Sequence, residues 1–170
     1  MTKSNIVLIG MPGVGKSTVG VILAKVLGKD FIDADLVIQK KEKRLLSQII
    51  QMEGPDGFLA IEERVNTELN PENAVIATGG SVVYGEKAMR HLREIGTVLY
   101  LKISFSAVEA RLKDIHGRGV VLRENQTLKE LYEERRILYE KYAHITIEED
   151  GLGVEETLEK ALQALGLLVE

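Results

Sequence analysis

Ile6-Val7-Leu8-Ile9-Gly10-Met11-Pro12-Gly13-Val14-Gly15-Lys16-Ser17 decides the fold of this 170-residue chain. The first four residues are an unbroken aliphatic and β-branched run, the pattern of a parallel strand covered on both faces. From Gly10 to Ser17 the string matches G-x-x-x-x-G-K-[ST]. Glycines let the backbone curl until successive N–H groups point at one anion. After Lys16 the apolar spacing turns helical, through Val19, Val21, Ile22, Leu23, Val26 and Leu27. Gly28 is placed to end that helix in a left-handed conformation. Strand, glycine loop and helix N-terminus, in that order, make a cradle for phosphate, to which the helix adds about half a positive charge. Lys16 is expected to bridge the β- and γ-phosphates of a nucleotide, and Ser17 to hold magnesium through its hydroxyl. The candidate nucleotide-binding residues are Gly13, Val14, Gly15, Lys16, Ser17 and Thr18.

Strands and helices alternate outward from this core. Phe31-Ile32-Asp33 reads as a second strand. Residues 36–70 are helical in composition, with a turn required near Gly54-Pro55-Asp56-Gly57. A third strand, Ala74 to Thr78, stops at Gly79-Gly80. A helix from Glu86 to Ile95 is expected to end at Gly96, and a fourth strand spans Val98 to Ile103. Ser106 is positioned to cap a helix over 107–112, and Thr127 to cap one from Leu128 to about Tyr142, with Glu130 as its capping-box partner. Ile145-Thr146-Ile147 gives a fifth strand, and 154–165 an amphipathic helix. This order predicts one domain over 1–170, an α/β/α three-layer fold on a five-stranded parallel sheet. Two additions are expected: a helical acceptor-binding insertion over about 34–70 and a mobile lid over about 114–125.

Composition narrows the function. Hydrophobic residues make up 45% and charged residues 28%, an ordinary soluble balance. With no Trp and three Phe, the core must be mostly aliphatic. A net charge of −4 argues against a nucleic-acid partner, which selects a basic surface. The absence of cysteine excludes disulfides and thiolate metal sites. The apolar run after Asn5 is too short for a signal peptide or a membrane helix, so a cytoplasmic monomer with no membrane partner is expected. There is no [NT]-K-x-D guanine reader and no L-S-G-G-Q signature, and a protein kinase would lack the glycine loop seen here. What remains is a compact ATP- and Mg²⁺-dependent kinase acting on a small molecule.

The acceptor side should lie at the carboxyl ends of the strands, where open α/β sheets bind ligands. Asp33 and Asp35 stand at the end of the second strand, and alternation in an extended segment would turn both to one site. One can orient magnesium-bound water and the other an acceptor hydroxyl; the competing reading is a solvated helix start. Gly79 and Gly80 offer bare backbone that a ligand can approach. His91, His116 and His144 show no metal-ligand spacing, and Tyr132, Tyr139 and Tyr142 read as packing residues on one helix.

Taken together, these motifs resemble the shikimate kinase family over nearly the whole chain. They are Gly10 to Ser17, Asp33-Ala34-Asp35, Gly54 with Phe58 and Glu62, Thr78-Gly79-Gly80, Arg111 and Arg118 flanking the lid, and Glu134-Arg135 with Tyr139. The resemblance implies ATP, Mg²⁺ and phosphorylation of the shikimate 3-hydroxyl in the chorismate route to aromatic amino acids. It implies Asp33 near the metal beside Ser17 and Asp35 as the candidate base at the acceptor hydroxyl. It implies Arg111 on the adenine, Arg118 swinging in with the lid to meet transition-state charge, and Arg135 on the acceptor carboxylate. Lys16, Asp35 and Arg118 are thus the catalytic candidates, and Asp35, Gly79, Gly80 and Arg135 the acceptor-binding ones.

The departures cluster on the acceptor side. The family's F-R arginine, which helps hold the shikimate carboxylate, is Leu59, the glutamate after that segment's glycine is Pro55, the third turn glycine is Ser81, and the D-x-x-I-E ends in Gln39. The lid reads Arg118-Gly119-Val120, without the family's proline and leucine. Arg64 and Arg136 are spaced to point elsewhere. Two alternatives therefore stand beside shikimate: another small hydroxylated acceptor, or a nucleotide-binding module that transfers nothing.

Overall fold

The computed structural model describes residues 4–112 and 124–167. Of the lid expected over about 114–125, Arg118 and His116 lie outside the described residues. Five strands, β1 (Asn5–Ile9), β2 (Asp30–Asp33), β3 (Ala74–Ala77), β4 (Gly96–Lys102) and β5 (Ile145–Glu148), form one parallel sheet in the order β2-β3-β1-β4-β5. The α-helices are α1 (Lys16–Leu27), α2 (Ala34–Glu42), α3 (Leu46–Glu68), α4 (Glu86–Ile95), α5 (Phe105–Leu112), α6 (Leu128–Tyr142) and α7 (Val154–Ala164).

Strand β1 is central because every one of its residues is buried. Its pleat divides them between two cores. Ile6 and Leu8, with Val75 and Leu99, pack under α1 and α7 through Leu23, Ala24 and Ala161. Val7 and Ile9, with Ile76 and Val98, pack under α4 and α6 through Met89, Leu92, Leu131 and Tyr139. Each aliphatic side chain so buried contributes about 1.5–3 kcal/mol. From β1 the chain moves out to β2, returns to β3, then crosses β1 to reach β4. The carboxyl ends of β1 and β3 therefore sit at a topological switch point. Thr78 pins that seam, its amide and hydroxyl both donating to the Leu8 carbonyl at 3.2 and 2.7 Å.

The insertion carries a small core of its own, Ile38, Ile49, Phe58 and Val65. The expected turn at Gly54-Pro55 is a kink inside α3: Gly54 alone leaves helical geometry, at φ 72° and ψ 174°. Pro55 then opens the second half, where a missing N–H breaks no intrahelical bond. Thr127 caps α6 as expected, its hydroxyl accepting from the Glu130 amide at 3.1 Å.

Gly96 ends α4 as expected, and one other local expectation gives way to tertiary packing. Gly96 is also the first residue of β4, extended at φ −164°. Its pairing with Asn5 of β1 draws it into the sheet. Ser104, not Ser106, caps α5, its hydroxyl accepting from the Ala107 amide at 3.4 Å. Phe105 packs 5.7 Å from the Tyr132 ring, and that contact starts the helix earlier. Among the described residues no helix is long and apolar enough to cross a membrane.

Gly10, at the end of β1, adopts φ 150°, and a Cβ there would fall 2.6 Å from the Leu101 carbonyl oxygen. Gly10→Ala is expected to lose about 2–4 kcal/mol of stability. Urea unfolding checks this, and an unshifted midpoint would show that the loop tolerates a side chain at this position.

Candidate active site

A cleft of about 520 Å³ opens at the carboxyl edge of the sheet. Its walls come from the loop after β1, from Asp35 of α2, Phe58 and Glu62 of α3, the Thr78–Ser81 turn and Arg135 of α6. Each wall follows a strand end or a helix packed over one, so the sheet sets their mutual positions.

On the phosphate side the loop closes onto Lys16. Its Nζ donates to the carbonyls of Gly10 and Met11 at 2.8 and 2.9 Å. The ammonium is buried, and burial lowers its pKa to about 8 against the opposing pull of Asp35. Gly13, Gly15, Ser17 and Thr18 line the cleft, while the Val14 side chain turns into the core. Arg111 of α5 lies across the same loop, its Nη1 donating to Gly13 and Val14 carbonyls at 3.2 and 3.4 Å.

Ser17 Oγ donates to Asp33 Oδ2 at 3.3 Å. The other Asp33 oxygen accepts from the amides of Asp35 and Leu36 at 3.0 and 3.3 Å, capping α2. Asp33 is thus a helix cap and a neighbour of Ser17 at once. The extended alternation expected for the two aspartates is absent, because the helix begins at Ala34 and carries Asp35 in its first turn. Ser17 and Asp33 offer two adjacent hard oxygens, which fits Mg²⁺, an ion that keeps several waters and takes its remaining ligands from phosphate. Among the described residues no group of three or more His, Asp or Glu forms a metal cage.

On the acceptor side, three ionisable groups converge. Burial, reinforced by Asp33, raises the Asp35 pKa to about 6. Burial raises Glu62 to about 8, against the Ser81 hydroxyl that donates to its Oε1 at 2.6 Å. Arg135 is 1% exposed, with its guanidinium 5.5 Å from the Tyr84 ring centroid. Gly79 must be glycine for space: a Cβ there would lie 2.6 Å from Asp35 Oδ1 and 2.9 Å from Glu62 Oε2. The neighbouring Gly80 carbonyl is held by the Tyr139 hydroxyl at 2.6 Å. The α6 tyrosines pack as expected, and this hydroxyl also fixes the turn.

The positions that depart from the family pattern now have structural places. Leu59 is half-buried against the insertion's core and does not line the cleft. Arg64 pairs with Glu42 and Glu68, and Arg136 with Glu133 and Glu140, so neither takes the place of an arginine at 59. Gln39 Oε1 accepts from the Leu46 amide at 3.0 Å, joining α2 to α3. His91 contacts the Leu69 carbonyl, and His144 Nδ1 accepts from the Val98 amide at 2.9 Å; both lie outside the cleft.

Sequence reasoning missed three groups. Glu62 entered only as a mark of resemblance, Ser81 only as a departure, and Glu149 not at all. Glu149 is in fact buried after β5, and burial raises its pKa to about 7 against a hydrogen bond from Thr157 and the nearby Arg111.

Comparison with known proteins finds relatives over nearly the whole chain. A sequence model described as "Shikimate kinase" matches residues 12–166. A shikimate kinase of Thermodesulfovibrio yellowstonii is 40% identical over 162 residues, covering 94% of this chain and 93% of that protein. The solved structure of a shikimate kinase from Acinetobacter baumannii in complex with shikimate superimposes with a TM-score of 0.88 at 34% identity, over 96% of this chain and 93% of that one. A shikimate kinase structure from Aquifex aeolicus gives 0.80 at 33% identity, over 95% and 96%.

Glu149 makes a stability prediction. Its folded pKa of about 7 exceeds the ordinary 4.5, so the native state holds the extra proton in that window. Its stabilising contribution is complete below 4.5 and is lost as pH rises through about 7. Glu149→Gln is therefore expected to gain about 1–2 kcal/mol, or on the order of 2–8 °C in Tm, at about pH 8, and little at about pH 5. Calorimetry across that range decides it; a pH-independent difference would contradict the assignment.

Proposed function

The chain belongs to the shikimate kinase family, and from that premise we propose that it transfers the γ-phosphate of ATP to the 3-hydroxyl of shikimate. The observation that carries this reading is the convergence of Lys16, Asp35 and Arg135 on one cleft, from three separate elements. Each supplies a different need of phosphoryl transfer: a cation for phosphate, a carboxylate for the attacking hydroxyl, and a cation for the acceptor's carboxylate.

Lys16 exchanges the Gly10 and Met11 carbonyls for phosphate oxygens, while the amides of Gly13 to Thr18 point at the triphosphate tail. Arg111, already lying on this loop, packs on the adenine. Ser17 and Asp33 would hold Mg²⁺, which would supply charge neutralisation to the triphosphate. Gly79 and Gly80 let the acceptor ring come close, and Arg135 takes its carboxylate. Asp35 orients the acceptor hydroxyl and accepts its proton as the oxygen–phosphorus bond forms and the bond to the β-phosphate oxygen breaks. Arg118, outside the described residues, is assigned to the γ-phosphate when the lid closes. Positioning and charge neutralisation carry the rate.

One observation supports a second reading. Arg135 and Lys16 are the cations that line the cleft among the described residues, because Leu59 packs away from it. A small hydroxylated acceptor with a weaker need for a carboxylate clamp would fit the same space. A non-transferring nucleotide module is disfavoured by the buried, oppositely charged groups facing the acceptor space.

ADP release with shikimate and with a panel of small hydroxylated acids separates these readings; release stimulated by other acceptors but not shikimate would overturn the first. Lys16→Ala should lower kcat at least about a hundredfold. Asp35→Asn should lower kcat by about 10²–10⁴ while the ATP KM stays within about threefold. Arg135→Lys should raise the shikimate KM about 10–100-fold, the loss of one charged hydrogen bond. Parent-like kinetics in all three variants would remove the mechanism.

A further inference from the structure

Glu62 is 2% exposed, yet only one of its carboxyl oxygens is satisfied. Oε1 accepts from the Ser81 hydroxyl at 2.6 Å, and Oε2 has no hydrogen-bond partner among the described residues. A buried ionised carboxylate with a bare oxygen is costly, and a protonated one is much less so. The charged groups around it are Asp35 from α2, Lys16 from α1 and Arg135 from α6. Asp35 is closest in effect to a rival: its Oδ1 and Glu62 Oε2 press on the same face of Gly79. On its own helix, position 59 is three residues away and so on a neighbouring face. A cation there would hold Glu62 ionised, but Leu59 is apolar and packs into the insertion's core. Ser81, standing where a third glycine would leave no side chain, supplies a neutral donor instead.

We propose that Glu62 is a positioning residue that works uncharged: Ser81 fixes its Oε1, its Oε2 keeps a proton against Gly79, and it therefore does not compete with the acceptor's carboxylate for Arg135. An ionised Glu62 would compete with an anionic acceptor for the Arg135 guanidinium and would repel it directly. Holding the proton avoids both effects without a second arginine. The upward displacement of the Glu62 pKa by burial is in accord with this arrangement. The proposal rests on the phosphotransfer reading for its consequence in turnover, but the protonation state itself does not depend on it.

Two measurements on the full chain test it. In ligand-free protein labelled with ¹³Cδ-glutamate, the resonance lost in E62Q should titrate with a midpoint above neutral pH. A midpoint in the ordinary carboxylate range overturns the proposal, whatever the protein phosphorylates. In S81A, which removes the donor favouring the ionised form, the midpoint should move upward; an unmoved midpoint overturns the role of Ser81, and this variant identifies the resonance if E62Q does not fold. With saturating ATP and Mg²⁺, the shikimate KM of the parent should rise about tenfold on the alkaline side of that midpoint and stay flat in E62Q. The same rise in E62Q would assign it to another group and overturn the competition for Arg135. Absence of shikimate turnover in the parent would count against the proposed acceptor, leaving the titration to decide on Glu62.

Discussion

The ammonium of Lys16, turned back onto the carbonyls of Gly10 and Met11, is the interaction around which this molecule is arranged. A buried cation must be compensated, and here the compensation comes from backbone oxygens of the glycine loop itself. That loop is held in place by β1, buried throughout its length, and by α1, which begins at Lys16 itself. The sheet thus fixes where the cation stands, and the cation fixes the shape of the loop. Asp35, Glu62, Glu149 and Arg135 are all disposed at the same end of the sheet, within reach of its field.

The acceptor side is built by close approach. Two adjacent glycines bring backbone against Asp35, Glu62, Pro12 and Arg135, with no room for a Cβ at either position. Hydroxyls then lock this bare turn: Thr78 to the Leu8 carbonyl and Tyr139 to the Gly80 carbonyl. Catalytic geometry of this kind tolerates displacements well under 1 Å, so the side chains that carry no charge matter here as much as those that do. By contrast, the ion pairs strung along α2 and α3, Lys41–Glu68 and Arg64–Glu68 among them, are exposed. Exposed pairs contribute little each, about 0–1 kcal/mol, and the insertion's own apolar cluster does more to hold it together.

The phosphate half of the site was legible in the chain because its residues are contiguous. A strand, a glycine turn and a helix start within one short stretch leave few ways to fold, and the backbone conformation alone makes the anion cradle. Asp33 and Asp35 were legible as a pair, though by the wrong route. The alternation of a strand was expected, and a helix cap delivers them instead, since Asp33 satisfies two amides of α2 with one oxygen. Ser104 displaced Ser106 as a cap for a similar reason: two hydroxyls were available locally, and the packing of Phe105 on Tyr132 chose between them.

What the sequence determined by itself was the order of elements, the parallel sheet they imply, and the glycine loop that closes onto Lys16. These follow from spacing, periodicity and backbone propensity, which are properties of neighbours along the chain. What only the tertiary structure decided was which acidic side chains are buried, how Leu59 is used, and that Ser81 belongs to Glu62. Glu62 and Ser81 are 19 residues apart, and Glu149 reads as one more acid in a polar stretch until α7 covers it. Desolvation is the physical reason. The cost of a charge depends on every atom packed around it, and that sum exists only after segments distant in sequence have come together.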